Sequence, residues 1–218
     1  KQAAEKGAGR PAGVPAVEIK KVGVLGGGLM GSGITHVTVK GGMEVVVLDR
    51  SLEDANKAVD YSRKIIDKAV SRGKMTKEAG DAFMARITPT DNYDDLKDVD
   101  LIIEAVFENR ALKATVTQEA EVMLASDGVF ASNTSTLPIT GLAQASARPE
   151  KFVGLHFFSP VDKMPLVEII KGKLTDDETL ARAYDYVLAI GKTPIVVNDS
   201  RGFFTSRVFG TYVMEGAA

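Results

Sequence analysis

The sequence predicts an α/β fold in which helices cover both faces of a doubly wound, mainly parallel β-sheet. Short apolar runs alternate with longer amphipathic stretches along most of the 218 residues, a pattern typical of strands buried between helices. The first apolar run ends in a cluster of glycines at 26–28. The connection between the second and third runs is longer than an ordinary crossover, and we expect it to form an inserted helical hairpin.

Residues 21–50 have the order of strand, glycine turn, helix, strand and terminal acid that marks a Rossmann-type dinucleotide-binding unit. Gly26, Gly28 and Gly31 fall at the G-x-G-x-x-G spacing, and Asp49 follows the turn by about twenty residues. The first glycine permits the tight turn, the second lets the backbone approach a pyrophosphate, and the third lets the helix lie close to the strand. Free N–H groups at the start of this helix form an anion site.

The residue that ends the second strand bears on the choice of cofactor. The carboxylate of Asp49 can accept hydrogen bonds from an adenosine ribose, and it repels a 2′-phosphate. This pattern favours NAD over NADP. Arg50 leaves an alternative open, because an arginine at this place can bind the phosphate. We expect instead that Arg50 is a solvated charge beyond the end of the strand.

The remaining elements are predicted from their apolar period and from capping residues. Ser51 is a suitable N-cap for a long helix at 52–72, which Gly73 ends, and a helix at 76–85 completes the hairpin. Further strands are predicted at 87–90, 101–106, 129–132, 152–158, 166–170 and 193–197, and further helices at 110–124, from 138, at 176–190 and at 202–218.

Composition and charge narrow the classes of function. A chain of 218 residues, 44% of them hydrophobic, can bury one large core and part of a second. The net charge of −2 gives no general attraction to nucleic acid or to an anionic membrane, and we expect neither as a partner. The absence of cysteine excludes disulfides, zinc thiolates and a cysteine nucleophile, and we expect no metal site.

We expect the chain to have three parts. Residues 1–18 are rich in Ala, Gly, Pro and charge and are predicted to be a linker or tail. Residues 19–200 form the dinucleotide-binding domain, and residues 201–218 begin a helical C-terminal domain. Because the sequence lacks an initiator Met and its last helix stops without a capping signal, we expect a piece of a longer protein.

The chain has two histidines, and they have different surroundings. His36 lies within a predicted helix, where we expect a packed structural residue. His156 lies near the end of a predicted strand, at the edge where open α/β sheets bind ligands. If this strand and the next pair as a hairpin centred on Asp162, His156 lies directly opposite Glu168. Opposed residues on one face lie about 4.5–5.5 Å apart at Cβ.

A paired imidazole and carboxylate suit acid–base chemistry. The carboxylate fixes the imidazole tautomer and stabilises the imidazolium, while the other ring nitrogen acts on a substrate proton. The alternative is a strand histidine neutralised by a convenient glutamate. Ser135 follows a strand at the same edge, where its hydroxyl can bond substrate or cofactor. The alternative for Ser135 is a Ser/Thr turn that caps the next helix.

Four segments, taken in order, resemble the L-3-hydroxyacyl-CoA dehydrogenase family. They are residues 26–31, 102–109, 130–135 and 154–168. The resemblance runs from the first strand to the end of the chain. It implies an NAD-binding Rossmann domain of an enzyme that oxidises (S)-3-hydroxyacyl-CoA to 3-oxoacyl-CoA in fatty acid β-oxidation.

The resemblance also implies roles for individual residues. It makes His156 the general base, Glu168 its partner, and Ser135 a contact for both substrate and cofactor. The implied NAD site comprises Gly26, Gly28, Met30, Gly31, Asp49, Val106, Glu108, Lys113, Ser135 and Ser159. Ser159 and Ser206 stand where the single-domain enzymes often have Asn, so each keeps a hydroxyl but loses an amide. Ser206 is the implied second substrate contact.

The segment at 154–168 is most similar to the multifunctional fatty acid oxidation α-subunits, including the mitochondrial trifunctional type. That similarity implies an acyl-CoA substrate, an upstream enoyl-CoA hydratase domain, a thiolase subunit as partner, and a homo-oligomer. It implies a cytoplasmic location in a bacterium, or the mitochondrial matrix in a eukaryote. Because the family's C-terminal helical domain closes the acyl-CoA cleft, the chain alone is expected to be weakly active or inactive.

Two other classes of function stay open at this point. A different NAD-dependent hydroxyacid dehydrogenase would use the same domain with a lysine from its helical domain as the acid–base group. Replacing His156 by alanine would then spare much of the activity. The second alternative is a non-catalytic NAD-binding module, and the intact pair of His156 and Glu168 argues against it.

Overall fold

The computed structural model describes residues 2–216 and contains an eight-stranded β-sheet. The strands are β1 (Lys21–Leu25), β2 (Glu44–Leu48), β3 (Ile87–Thr90), β4 (Val99–Glu104), β5 (Leu124–Ser132), β6 (Phe152–Phe157), β7 (Leu166–Lys171) and β8 (Thr193–Asn198). The helices are α1 (Gln2–Glu5), α2 (Leu29–Lys40), α3 (Leu52–Ser71), α4 (Lys77–Met84), α5 (Arg110–Glu121), α6 (Ile139–Leu142), α7 (Asp177–Ala189) and α8 (Thr205–Gly216).

The strand order is β3-β2-β1-β4-β5-β6-β7-β8, and the strands from β3 to β6 run parallel. β7 pairs antiparallel with β6, and β8 runs parallel to β7. β1 lies between β2 and β4, so the winding of the chain reverses there and a crevice opens at the carboxyl ends of the strands. The predicted doubly wound, mainly parallel sheet is confirmed.

A hydrophobic core lies on each face of the sheet. Val24 of β1 shares one core with Ile34 of α2 and Tyr184 of α7. Its neighbour Leu25 shares the other core with Val116 of α5. Successive strand residues point to opposite faces, so a continuous apolar run such as β1 is buried on both sides. Full burial of each large apolar side chain stabilises the fold by roughly 1.5–3 kcal/mol.

The predicted helical hairpin is present as α3 and α4. The hydroxyl of Ser51 accepts a hydrogen bond from the N–H of Asp54 at 3.1 Å, and Thr76 accepts one from Ala79 at 3.2 Å. These contacts cap the starts of the two helices. Gly73 turns the chain between them with a φ of +64°. The apolar face of α3 packs against α2 and β3, so the hairpin flanks this edge of the sheet.

The boundary between α5 and β5 differs from the prediction. The helix predicted at 110–124 ends at Glu121, and the strand predicted at 129–132 already begins at Leu124. Leu124 pairs with Val99 of β4, and the register of the two strands then shifts. This irregular extra pairing lengthens β5, and no periodicity in the sequence predicts it.

Residues 2–18, predicted as linker or tail, contact the domain along α7. α1 lies at their start, and its Ala4 carbonyl accepts a hydrogen bond from the hydroxyl of Tyr184. The guanidinium of Arg10 binds the carboxylate of Asp185 through two hydrogen bonds of 2.7 and 2.8 Å. Lys1 lies outside the described residues. These contacts place the segment on the surface of the domain.

The last described helix, α8, presents apolar side chains to solvent. The exposed side chains on this helix include Val208, Phe209, Tyr212 and Val213, with Tyr212 at 77%, and Phe204 just before the helix is exposed as well. The exposed face of the last helix is therefore unusually apolar. The final two positions of that predicted helix, 217 and 218, lie outside the described residues. Within 2–216, no helix is both long and apolar enough to cross a membrane.

Candidate active site

The glycine turn after β1 has the geometry that its spacing predicts. Gly26 has a φ of +103°, and a Cβ there would lie 2.9 Å from the carbonyl oxygen of Ala105. A Cβ on Gly31 would lie 1.7 Å from the Gly26 carbonyl oxygen, so α2 can approach the turn this closely only with glycine. Gly28 is exposed, and a Cβ there would meet nothing within 4 Å. The turn therefore leaves open space in front of α2.

The start of α2 suits an anion. Its N-cap, Gly28, has no side chain to accept the first amide hydrogen bonds, and the first turn of the helix carries no acidic residue. Such amides, together with the helix dipole, bind phosphate groups. The cradle fits the pyrophosphate of a dinucleotide. Asp49 lies beside it, since its Oδ2 accepts the N–H of Gly27 at 2.6 Å.

A cavity of about 560 Å³ extends from the glycine turn past the end of β2. Gly28, Asp49 and Val106 line it, and the exposed ring of Phe107 forms part of its rim. Arg50, also on its lining, is 84% exposed and donates from Nε to Asp54 at 2.7 Å. Asp54 also binds Lys57. Arg50 is thus a solvated charge beyond the strand end, as expected.

A second cleft, of about 330 Å³, adjoins the first at the carboxyl edge of the sheet. Ala105 and Val106 line both cavities. The remaining residues on its lining are Met30, Glu108, Asn133, Ser135, His156, Phe157, Phe158 and Ser159. Together the two cavities are lined by most of the residues that the sequence singled out, and the second cleft lies next to the open space in front of α2.

His156 and Glu168 form a direct pair at this cleft. They are register partners across the antiparallel β6–β7 hairpin, as the spacing around Asp162 predicts. The Nδ1 of His156 lies 2.7 Å from Oε2 of Glu168, and both residues are buried. The rings of Phe158 and Phe203 pack against the imidazole at centroid distances of 4.5 and 5.9 Å. Apolar walls strengthen this hydrogen bond by excluding water.

Glu168 receives further donors that sequence reasoning missed. Its Oε1 accepts the N–H groups of Phe204 at 3.1 Å and Thr205 at 2.8 Å, and its Oε2 accepts the Thr205 hydroxyl at 2.9 Å. Burial alone would raise the pKa of Glu168, but the hydrogen bonds from His156 and Thr205 outweigh it and lower the pKa. Glu168 is therefore a carboxylate at neutral pH.

The turn after β5 leaves Ser135 facing the cleft. The Thr134 hydroxyl accepts the N–H groups of Thr136 at 3.3 Å and Leu137 at 2.9 Å. Asp199 accepts the first amides of α6 at 2.9 and 2.7 Å. Turn and helix are thus capped by two residues that the sequence did not single out, whereas Ser135 is exposed on the cleft lining.

Lys113 and Ser206, both implied by the family resemblance, lie off the cleft lining. Lys113 is buried beneath it, where its Nζ donates to Oε1 of Glu104 at 2.7 Å and lies 3.8 Å from Oε2 of Glu108. Its Nζ also donates to the carbonyl of Val106 at 3.4 Å, so it reaches the cleft through Val106 and Glu108, which both line it. Ser206 is exposed on α8, and the neighbouring Thr205 is the residue that contacts the histidine–glutamate pair.

His36 is a structural histidine, as expected. It is buried, its Nδ1 lies 3.3 Å from the Ser62 hydroxyl, and its ring packs near Tyr61 and Phe83. Burial lowers the pKa of His36 to about 4, because the imidazolium would lose its hydration. The ring is therefore neutral at physiological pH.

The glycine turn, the acid at the end of β2 and the adjoining histidine cleft define a nucleotide-dependent dehydrogenase domain of the Rossmann type. The comparison with protein families agrees. Residues 21–200 match the family model described as 3-hydroxyacyl-CoA dehydrogenase, NAD binding domain. The chain belongs to this family of NAD-binding domains.

Curated relatives are longer than this chain. It is 47% identical over 201 residues to a fatty acid oxidation complex subunit alpha of Shewanella frigidimarina, covering 92% of this chain and 28% of the relative. The same-named protein of Idiomarina loihiensis is 46% identical over 196 residues, covering 90% and 27%. The chain therefore spans little more than a quarter of the length of these relatives.

Solved structures share the fold. FadB2 of M. tuberculosis has a TM-score of 0.86 and 35% identity, covering 92% of this chain and 71% of that one. The (S)-3-hydroxybutyryl-CoA dehydrogenase PaaH1 from Ralstonia eutropha has a TM-score of 0.86 and 36% identity, covering 92% and 74%.

Proposed function

We propose that this chain is the NAD-binding part of an enzyme that oxidises (S)-3-hydroxyacyl-CoA to 3-oxoacyl-CoA in fatty acid β-oxidation. The observation that carries the proposal is the buried hydrogen bond between His156 and Glu168, at a cleft that adjoins the dinucleotide cradle. The names of the relatives and the neighbouring structures support the same substrate class.

The proton chemistry follows from which imidazole nitrogen is engaged. Because Nδ1 of His156 donates to Glu168, the neutral ring leaves Nε2 unprotonated and able to accept a proton. His156 then removes the proton of the C3 hydroxyl at Nε2, and the carboxylate stabilises the imidazolium that results. Bound NAD supplies the acceptor for the hydride that leaves C3. In the reverse reaction His156 returns its proton to the oxygen.

We assign the remaining cleft residues to orientation and binding. Ser135 orients the substrate oxygen, and Ser206 is proposed as a second, more remote substrate contact. The cofactor is proposed to contact Gly26, Gly28, Met30, Gly31, Asp49, Val106, Glu108, Ser135 and Ser159. Lys113 acts from beneath the cleft, because it is bonded to Glu104 and lies near Glu108.

The relatives are alpha subunits of a complex, so we propose that this chain works within a multi-component assembly. A hydratase domain upstream, a thiolase subunit and a second copy of the chain are the proposed partners. We propose the cytoplasm of a bacterium as its location, since the two relatives described above come from bacteria.

The test is an assay of the full gene product that carries this chain, with acetoacetyl-CoA and NADH. His156→Gln should lower kcat by roughly 10³-fold, and Glu168→Gln by roughly 10²-fold, because general acid–base catalysis and its orienting group are lost. His36→Gln, which alters the other histidine, is the matched control and should stay within about threefold of wild type. Substantial turnover by His156→Gln would point to another dehydrogenase class with its acid–base group elsewhere.

A further inference from the structure

The carboxylate of Glu168 is held on both of its oxygens by one residue. Thr205 donates its N–H to Oε1 at 2.8 Å and its hydroxyl to Oε2 at 2.9 Å. Oε2 is also the oxygen that accepts from His156, at 2.7 Å. Rotating the carboxylate out of its plane would break both contacts with Thr205, so these contacts fix the plane in which the imidazole is bonded.

The local backbone accounts for this placement. Phe203, buried beside the imidazole, has a φ of +48°, which turns the chain so that the next two N–H groups point at Glu168. α8 then starts at Thr205. The carboxylate therefore takes the place of a helix-capping side chain, and the Thr205 hydroxyl adds a contact that the backbone alone does not supply.

We propose that Thr205 is a positioning residue for the reaction, whose hydroxyl holds the Glu168 carboxylate in the orientation that His156 requires. The proposal rests on the proposed function, because it assigns Thr205 a part in that chemistry. Thr205 does not line the cleft and acts through Glu168. Nothing in the sequence around 205 indicates this role, since Glu168 lies 37 positions away.

The test compares Thr205→Val with Thr205→Ser in the full gene product. Valine keeps the shape and the N–H but removes the hydroxyl, whereas serine keeps both donors. We expect Thr205→Val to lower kcat roughly tenfold with KM within about twofold, and Thr205→Ser to stay near wild type. Thr205→Ser as defective as Thr205→Val would overturn the proposal, because the hydroxyl would then not be the feature that matters.

Two spectroscopic readouts separate positioning from a structural role. The NMR signal of the side-chain carboxyl carbon of Glu168 can be assigned because it is missing in Glu168→Gln. Its pH titration should give a Glu168 pKa roughly 0.5 higher in Thr205→Val than in the wild type, because a hydrogen-bond donor to the charged form is gone. The ¹⁵N shifts of His156 should report a mixture of neutral tautomers there, against one tautomer in the wild type. A wild-type titration and a single tautomer in Thr205→Val would contradict the proposal.

These readouts also keep the two proposals apart. A wild-type protein that does not reduce acetoacetyl-CoA would refute the proposed function. The carboxyl titration and the tautomers need no turnover and would still decide whether Thr205 sets the orientation of Glu168. Conversely, if the wild type is active and Thr205→Val has the same kcat, titration and tautomer as the wild type, the proposed function stands and Thr205 has no part in it.

Discussion

The two histidines are both buried, yet their neighbours give them different tasks. His156 donates to a carboxylate at the cleft, whereas His36 bonds to the hydroxyl of Ser62 and packs near Tyr61 and Phe83. A buried imidazolium is favourable only beside a negative charge, so the first can carry a proton during a reaction. The second stays neutral and contributes packing.

The lowered pKa of His36 predicts a pH dependence of stability. In the unfolded chain the imidazole titrates at 6.5, and in the folded chain at about 4. Protons therefore bind the unfolded state preferentially as the pH falls from 6.5 toward 4, and stability is lost across that window. Between pH 7 and pH 5 this loss should reach about 2 kcal/mol.

Urea unfolding of the wild type and of His36→Gln at the two pH values measures this effect. The variant should lose less stability than the wild type by that amount, since it carries no imidazole at this position. If the wild type and the variant lose the same stability between pH 7 and pH 5, the pKa of His36 is not lowered in the folded protein.

Asp49 favours NAD(H) as the cofactor, whereas an arginine at position 50 could favour NADP(H). Asp49 lines the cavity in front of α2, while Arg50 is drawn toward Asp54. NAD(H) should therefore bind at least tenfold more tightly than NADP(H), about 1.4 kcal/mol. Calorimetry should show that Asp49→Asn narrows this ratio and that Arg50→Ala, the matched control, does not. Equal affinities in the wild type would mean that Arg50 governs this end of the site.

At the scale of elements, three parts of the fold hold the β6–β7 loop, which carries Ser159 at the cleft. Lys192, just before β8, donates from its buried Nζ to the carbonyls of Val161 at 2.5 Å and Met164 at 2.6 Å. The hydroxyl of Tyr61 on α3 donates to Asp162 at 2.9 Å. α2 packs against the same loop at Gly33, where a Cβ would lie 2.7 Å from Cβ of Val161.

Loss of the Lys192 contact should loosen the loop. Lys192→Met leaves two carbonyls without their charged donor and should cost about 2 kcal/mol of unfolding free energy. Lys171→Met is the control, because Lys171 pairs with Asp177 at the surface and should cost no more than about 0.5 kcal/mol. Denaturant titration of both variants checks the difference. Similar costs would show that the clamp on the loop is no stronger than a surface ion pair.

Local spacing explains which elements the sequence could predict. The glycine turn follows from three glycines at fixed intervals, and the pairing of His156 with Glu168 follows from the centre of one hairpin loop. The early start of β5 and the capping by Asp199 depend on partners far along the chain. The contact from Thr205 is of the same kind, so no local pattern could reveal it.

At the scale of the whole molecule, we expect this chain to form the dinucleotide cavity more completely than the adjoining histidine cleft. The dinucleotide cavity is lined by the ends of β1 and β2, by the glycine turn before α2, by the residues that follow β4, and by side chains of α3 and α5. The histidine cleft is the smaller of the two, at about 330 Å³, and α8 beside it exposes an apolar face. The relatives are more than three times as long, so we expect the acyl-CoA cleft to need residues beyond these 218.

The 218-residue chain tested alone should therefore bind NADH but turn over poorly. We expect acetoacetyl-CoA reduction at least about a hundredfold below that of the full gene product, because misplacement of the thioester alone can cost this much. Calorimetry measures the binding, and the loss of NADH absorbance measures the rate. A kcat/KM close to that of the full product would show that the cleft is already complete.

The antiparallel hairpin has a consequence for local unfolding. His156 and Glu168 are 12 positions apart and closed by one short loop, whereas the bonds from Phe204 and Thr205 span 36 and 37 positions. α8 carries no buried residue and should open at a lower free energy than the strands, which amide hydrogen exchange would detect as faster exchange. Such an opening leaves the imidazole and the carboxylate paired but frees the carboxylate to rotate. The β6–β7 hairpin thus brings His156 and Glu168 together, whereas the orientation of the Glu168 carboxylate depends separately on α8.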